Sequence, residues 1–278
     1  MSRIFLFPGQ GSQKKGMGED LFDRYPTVTA EADAILGYSV KELCLDDVGE
    51  RLNQTQYTQP ALYTVNALMA QAKLDAGERP DLVAGHSLGE YNALLAAGVY
   101  DFATGLRLVQ RRGALMSQAT GGGMAAVLGL EASKVIDIIR EHALSEIDVA
   151  NFNAPTQVVI SGPRDAIVAA QPIFEGAGCR MYVVLKVSGA FHSRYMAPAG
   201  NEFAAFLKTF SFTAPKLPVV ANVTAQPYAD AAAVVDGLTR QISGSVRWVE
   251  SIEYLAKTPE PTFEEIGPGK VLMGLLKQ

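Results

Sequence analysis

"AGHSLGEY", residues 84–91, sets a serine between two glycines in the pentapeptide Gly85-His86-Ser87-Leu88-Gly89. Before it, "PDLVAGHS" (80–87) is a short apolar run of strand character. After it, "LGEYNALLAAG" (88–98) reads as a helix closed by Gly98. A serine at the apex of a sharp strand-to-helix turn takes a strained backbone, and small neighbours leave room for the turn. Its oxygen then stands above the sheet edge, where the helix N-terminus offers free N–H donors and partial positive charge. This context marks Ser87 as a nucleophile, a role compatible with its also capping the helix.

Working outward, "RIFLF" (3–7) is a buried strand ended by "PGQG", and residues 61–77 have helical apolar spacing up to Gly77. Residues 101–119 form a further helix with Asp101 as its N-cap. Strand and helix alternate here, so an α/β domain with a parallel sheet and helices on both faces is expected. At "TGGGM" (120–124) the texture changes. Strand 124–130 and helix 132–143 are followed by two strands, "IDVANFN" and "QVVISG", joined by the turn "APT". A helix over 164–178, interrupted by its proline, then leads to strand 179–187. The order βαββαβ is that of a ferredoxin-like unit. Residues 124–187 therefore read as a subdomain inserted into a larger one made of 1–123 and 188–278, to which "NEFAAFLKTF", "LPVVANV" and "FEEIGPGKVLMGLLK" return.

The bulk properties narrow the function. The chain has 278 residues, 48% of them hydrophobic, and a net charge of −5, which supports a sizeable core and argues against nonspecific nucleic-acid binding. "MSRIFLFPGQ" is too short a hydrophobic stretch for a signal sequence and no later run could span a bilayer, so a cytoplasmic protein without membrane contact is expected. Cys44 and Cys179 lie far apart and outside any metal-ligand spacing, as idle thiols of a reducing compartment do.

A nucleophilic serine needs a base, and there are three histidines. His86 is the immediate neighbour of Ser87, and adjacent side chains in an elbow point apart, so it is assigned to positioning or packing. His142 sits at the end of a polar helix, where it interacts with the dipole. His192, in the Ser/Gly-rich loop "VSGAFHS" after a strand, is the best base available. Of the acids between Ser87 and His192, Asp101, Asp137, Asp148 and Asp165, none lies in a loop suited to a third catalytic member. A Ser–His dyad, with the imidazole oriented by a backbone carbonyl, fits better than a triad.

Together, "FPGQGSQ" (7–13), "TQPAL" (58–62), "GHSLGEY" (85–91), "RG" (112–113), "GAFHS" (189–193) and "GPGKVL" (267–272) resemble the malonyl-CoA:acyl-carrier-protein transacylases. They also resemble the free-standing acyltransferases that serve polyketide synthases in trans. The resemblance runs in order from residue 3 to the end. It implies an α/β-hydrolase-like large domain carrying a ferredoxin-like insertion, with Ser87 as nucleophile and His192 as base. It further implies an oxyanion hole from the backbone N–H groups of Gln10 and Leu88, and the Gln241 backbone carbonyl as the group orienting the histidine. Arg112 would pair with the free carboxylate of a malonyl group, with Gln59 lining the same pocket. Helical periodicity alone leaves Arg111 and Arg112 open; the resemblance selects Arg112. A bulky Phe191 before the histidine accompanies malonyl rather than methylmalonyl use, although discrimination by one methyl is limited to about 1–3 kcal/mol.

The implied reaction takes malonyl from coenzyme A, holds it as a seryl ester and passes it to the phosphopantetheine thiol of an acyl carrier protein, in fatty-acid or polyketide synthesis. It needs no metal or redox cofactor, and a monomer is expected. Carrier proteins are usually acidic, which makes Lys14, Lys15, Lys186 and Arg194 candidates for a docking surface or ordinary solvated charge. A serine hydrolase or thioesterase would use the same Ser87 and His192 with water as acceptor; Arg112 and the missing aspartate favour transfer. A non-catalytic docking module has no need of an intact serine, histidine and "PGQG" loop. Two lookalikes are structural turns: "GPGK" lacks the spacer and the Ser/Thr of a phosphate loop, and "GQGSQK" lacks the third glycine of a dinucleotide fingerprint.

Overall fold

The apolar run Ile4–Phe7 is buried on both faces, as the inner strand of a covered parallel sheet must be. In the computed structural model, which describes residues 1–277, it belongs to β1 (Ser2–Phe7). The other strands are β2 (Leu82–Gly85), β3 (Gly122–Leu128), β4 (Asp148–Ala154), β5 (Gln157–Pro163), β6 (Met181–Val184), β7 (Val219–Val220) and β8 (Pro261–Glu265). One sheet has the order β7-β2-β1-β8 and every pair in it is parallel. Phe7 pairs with Gly85, so the loops leaving β1 and β2 emerge side by side at the carboxyl ends of the strands, where open α/β sheets hold their ligands.

The second sheet, β4-β5-β3-β6, is antiparallel throughout. The helices Ala132–Glu141 and Arg164–Gly176 cover one face and enclose Val127, Ile138, Ile160, Ile167 and Phe174 in a core of its own. Element order and strand order together are those of the ferredoxin-like unit. Met124, Ala126 and Val159, on the opposite face, join the main core of the large subdomain. The chain is therefore an α/β protein of a parallel sheet with a second, antiparallel layer laid over one side. Loop bonds tie the two together: Phe152 N–H donates to Val246 O and Val246 N–H to Ala150 O, each at 2.9 Å.

Several boundaries differ from the sequence reading. β3 starts at Gly122, not at Met124, because Gly122 and Gly123 pair with Pro163 and Gly162. A Cβ on Gly122 would lie 2.1 Å from the Ala190 nitrogen, so the glycine run is a strand squeezed against the 189–193 loop rather than a linker. The expected strand 179–187 is ordered only over Met181–Val184. The helix expected from Ala61 begins at Thr55 and runs through Pro60 to Asp75; a proline this near the start removes only the bond to Gln56. Pro172 likewise leaves its helix continuous over Arg164–Gly176; the carbonyl that it frees belongs to Val168, which is 49% exposed. Cys44 and Cys179 are both free thiols. Among the described residues no helix is long and apolar enough to cross a membrane.

Candidate active site

The pentapeptide folds as its glycines require. A Cβ on Gly85 would sit 2.0 Å from the Gly89 carbonyl carbon, and one on Gly89 would sit 2.0 Å from Phe7 O. Between them Ser87 has φ +51°, in the left-handed region that a non-glycine residue enters only under constraint. Asn222, just after β7, holds it there: its Oδ1 accepts Ser87 N–H at 2.7 Å and its Nδ2 donates to Gly85 O at 2.7 Å.

Ser87 Oγ lies 2.7 Å from His192 Nε2. His192, also at a positive φ of +56°, directs Nδ1 at two backbone carbonyls, Gln241 O at 2.9 Å and Gly244 O at 3.1 Å. Two acceptors at Nδ1 fix the proton there, so Nε2 carries the lone pair and Ser87 donates to it. Burial, with the charge of Arg112 adding to it, lowers the imidazole to about 3, and it stands neutral at physiological pH. Asp101, whose carboxylate caps a helix by accepting Thr104 N–H, and Asp148, which pairs with Arg194, are both engaged elsewhere.

The other two histidines are directed away from the serine oxygen. His86 Nε2 lies 2.8 Å from Asn153 Oδ1 of β4, and its ring meets Trp248 edge-on; burial lowers its pKa. His142 caps the C-terminus of its helix in an exposed position.

The two neighbouring arginines part company. Arg111 is at the surface in an ion pair with Glu202. Arg112 is 1% exposed, and Nη1 donates to Gln59 Oε1 at 2.9 Å. Nη2 donates to Gln241 Oε1 at 3.0 Å and to Ser87 Oγ at 3.1 Å. Its guanidinium lies over the Tyr91 ring, and among the described residues its Nε has no partner. Among the described residues no carboxylate comes within ion-pair distance of it. A buried cation held by neutral groups alone is costly, and it is a ready receptor for a ligand carboxylate. Gly113 lets this helix approach Thr55 and Gln56 closely, which puts Gln59 in reach.

The "PGQG" loop lies flush on the elbow; a Cβ on Gly9 would be 2.4 Å from His86 O. Gln10 and Leu88 thus flank Ser87, and among the described residues neither backbone N–H meets an acceptor. Gln10, Gln59, Ser87, Arg112 and His192 line a cavity of about 160 Å³, roofed by Met124, Asn151, Val159 and Leu185 from the insertion, with Phe191 in its wall. A wider groove of about 740 Å³ shares Gln10, Leu185 and Val187 with it and is edged by Arg164 and Lys186. Arg194 is already paired with Asp148 and contributes little free charge to a docking surface.

Three participants escaped the sequence reading: Glu90, Asn222 and Tyr228. Glu90 is the one charge in the helix Gly89–Ala96, and Asn222 is a lone amide after an apolar strand. Each is a signal in retrospect.

The acyl transferase domain model matches residues 4–278. The polyketide biosynthesis malonyl CoA-acyl carrier protein transacylase BaeC of Bacillus velezensis is 54% identical over 98% of this chain and 94% of its own. A solved malonyl CoA-acyl carrier protein transacylase from Burkholderia pseudomallei superposes with a TM-score of 0.96 at 50% identity, covering 100% of this chain and 97% of that one. A malonyl-transacylase solved in complex with a type II PKS acyl-carrier protein superposes at 0.95, with 38% identity over 100% and 92%. With its whole length matched in sequence and in fold, the chain belongs to the acyl transferase domain family, among the malonyl-CoA–acyl carrier protein transacylases.

Proposed function

We propose that this chain is a malonyl-CoA:acyl-carrier-protein S-malonyltransferase working by a ping-pong mechanism through a Ser87–His192 dyad. The observation that carries the reading is Arg112, a fully buried guanidinium with no carboxylate partner among the described residues, 3.1 Å from the Ser87 oxygen.

The malonyl thioester enters with its free carboxylate on Arg112, which offers a planar pair of donors and fixes the direction of the acyl group. Ser87 Oγ attacks the thioester carbon while His192 Nε2 takes the hydroxyl proton. Negative charge builds on the carbonyl oxygen and meets the N–H groups of Gln10 and Leu88; losing one such donor typically costs ~3 kcal/mol. The C–S bond breaks, His192 returns the proton to the departing sulfur, and coenzyme A leaves a malonyl-serine ester. The phosphopantetheine thiol of a carrier protein then attacks that ester, again giving its proton to His192, which passes it to Ser87 as the C–O bond breaks. Nucleophile, base and donors suffice for both half-reactions, so no cofactor is called for. The small inner cavity suits a short acyl group, and Phe191 crowds an α-methyl substituent. The groove outside it suits the pantetheine arm of either thioester.

Intact-mass analysis after brief mixing with malonyl-CoA, with and without a carrier protein, tests this reading. The expected result is a malonyl adduct that moves to the carrier and is absent from Ser87→Ala. An adduct that decays to water equally fast with and without carrier would make the chain a hydrolase, and the reading would be withdrawn.

A further inference from the structure

Beneath the dyad lies a carboxylate that the mechanism does not use. Glu90 is 0% exposed, in the first turn of the helix Gly89–Ala96. Its Oε1 accepts Asn222 N–H at 3.0 Å and Tyr228 O–H at 2.6 Å, and its Oε2 accepts from Gln241 Nε2 at 2.5 Å. The same Gln241 Nε2 donates to Ser87 O at 2.8 Å, while Gln241 Oε1 faces away and accepts from Arg112. The Gln241 amide is thus a dipole strung between a buried anion and a buried cation.

We propose that Glu90 is a positioning residue that sets acyl specificity: as an acceptor-only anchor, it orients the Gln241 amide so that Arg112 is held beside Ser87 as a carboxylate receptor. This rests on the reading of Arg112 given above. Two acceptors, Glu90 and Ser87 O, draw the amide nitrogen to one side and turn its carbonyl to the guanidinium. Placed one side chain away, the Glu90 charge offsets that of Arg112 without occupying the edge a substrate carboxylate needs. A carboxylate in direct contact would neutralise the receptor; with none at all, the cation would be buried uncompensated.

The remaining titratable groups around Glu90 are phenols: Tyr91 beside it in the helix, Tyr100 beyond the helix end and Tyr228 after β7. Burial pushes all three above the ordinary tyrosine value, which keeps them neutral. Burial raises the Glu90 carboxyl to about 7, while the bonds from Tyr228, Gln241 and Asn222 N–H and the charge of Arg112 pull it down, so the acceptor-only carboxylate is the main form above that pH.

Glu90→Gln keeps shape and volume and changes only the hydrogen-bonding pattern. The new amide must present a donor either to Gln241 Nε2 or to Asn222 N–H, and no rotation satisfies both. The assay compares kcat/KM for malonyl-CoA and acetyl-CoA, because acetyl carries no carboxylate and shares every other step. The malonyl-to-acetyl ratio is expected to fall by about tenfold in Glu90→Gln, through KM for malonyl-CoA, and to stay put when the same change is made in an Arg112→Ala background. Gln241→Met, which cuts the bridge but keeps the backbone carbonyl that faces His192, is expected to lower the ratio to a similar degree and serves if Glu90→Gln does not fold. An unchanged ratio in a folded Glu90→Gln or Gln241→Met variant would overturn the proposal. So would an equal drop for both acyl groups, which would reduce Glu90 to a structural part. If wild type itself takes no malonyl, the functional reading fails first, and the two failures are thereby distinguished.

Discussion

Replacing Arg112 by alanine isolates the interaction on which the proposed malonyl recognition depends. In the free protein the guanidinium donates to Gln59, Gln241 and Ser87, all neutral acceptors. When a malonyl carboxylate arrives, some of these give way to charge-assisted bonds of about 1.5–3 kcal/mol each, in exchange for neutral ones of about 1 kcal/mol. Two such exchanges leave a net loss of roughly 1–4 kcal/mol on truncation, or roughly 5- to 1,000-fold in kcat/KM for malonyl-CoA. Acetyl-CoA makes no such contact, and its kcat/KM is expected to hold or rise once the nearby charge is gone. Arg112→Lys keeps the charge without the planar fork and should fall between. Release of coenzyme A in the presence of a carrier protein measures both substrates in one format. Equal losses for malonyl and acetyl would refute the assignment and make Arg112 a structural residue; thermal unfolding run in parallel would show whether the fold had suffered.

Three further outcomes follow from the same geometry. Ser87→Ala and Ser87→Gly both lack the oxygen, but only glycine is at ease at φ +51°, so by urea unfolding the glycine variant should be more stable by about 1 kcal/mol; equal stabilities would mean that the elbow is unstrained. Gly122→Ala drives a Cβ into the backbone of the loop bearing His192 and should cost about 1–3 kcal/mol, with loss of activity at temperatures where the protein stays folded; a silent substitution would contradict the close approach of β3. His192 has a folded pKa of about 3, below its ordinary value near 6.5, so the unfolded chain binds the extra proton as pH falls through that window. Its contribution to stability is intact above about pH 6.5 and is lost on acidification at up to ~1.4 kcal/mol per pH unit. His192→Ala should therefore flatten the acid side of the stability profile, and an unaltered slope would show that the imidazole is not held neutral.

The elbow was legible in the sequence because its glycines answer to hard contacts: no side chain fits at 85 or 89, and the turn imposes the rest. His192 could be reached by elimination among three histidines, and the backbone-carbonyl partner by the lack of a well-placed acid. Arg112 was less accessible. Periodicity left Arg111 and Arg112 open; in the folded helix Arg112 is buried with Leu108, Val109, Leu115 and Met116, and a cation in such a stripe contradicts composition-based expectation. Only tertiary partners make it tolerable, and Gln59, on a neighbouring helix, is one of them. Glu90 and Asn222 were missed for the same reason. Their worth lies in bonds to residues more than 130 positions away in sequence, which no local pattern encodes. Within "LPVVANV" only Val219 and Val220 form strand, because strand length depends on what it pairs with and β2 offers only Val83 and Ala84.

The closeness of Arg112 to the dyad makes recognition and base strength a single act. Burial is the main force against a positive charge on His192, and the field of Arg112 adds to it. A carboxylate bound to Arg112 cancels that field, so the imidazole becomes a better proton acceptor only after an acyl group of the right kind has arrived. In the proposed ping-pong scheme the malonyl ester keeps its carboxylate in place between the two half-reactions, and the base stays armed until a thiol removes the acyl group. An acetyl group seated on the same serine would leave His192 as weak as in the empty protein. On the proposed mechanism selectivity is exerted twice, once in holding the substrate and again in the readiness of the base to act on it.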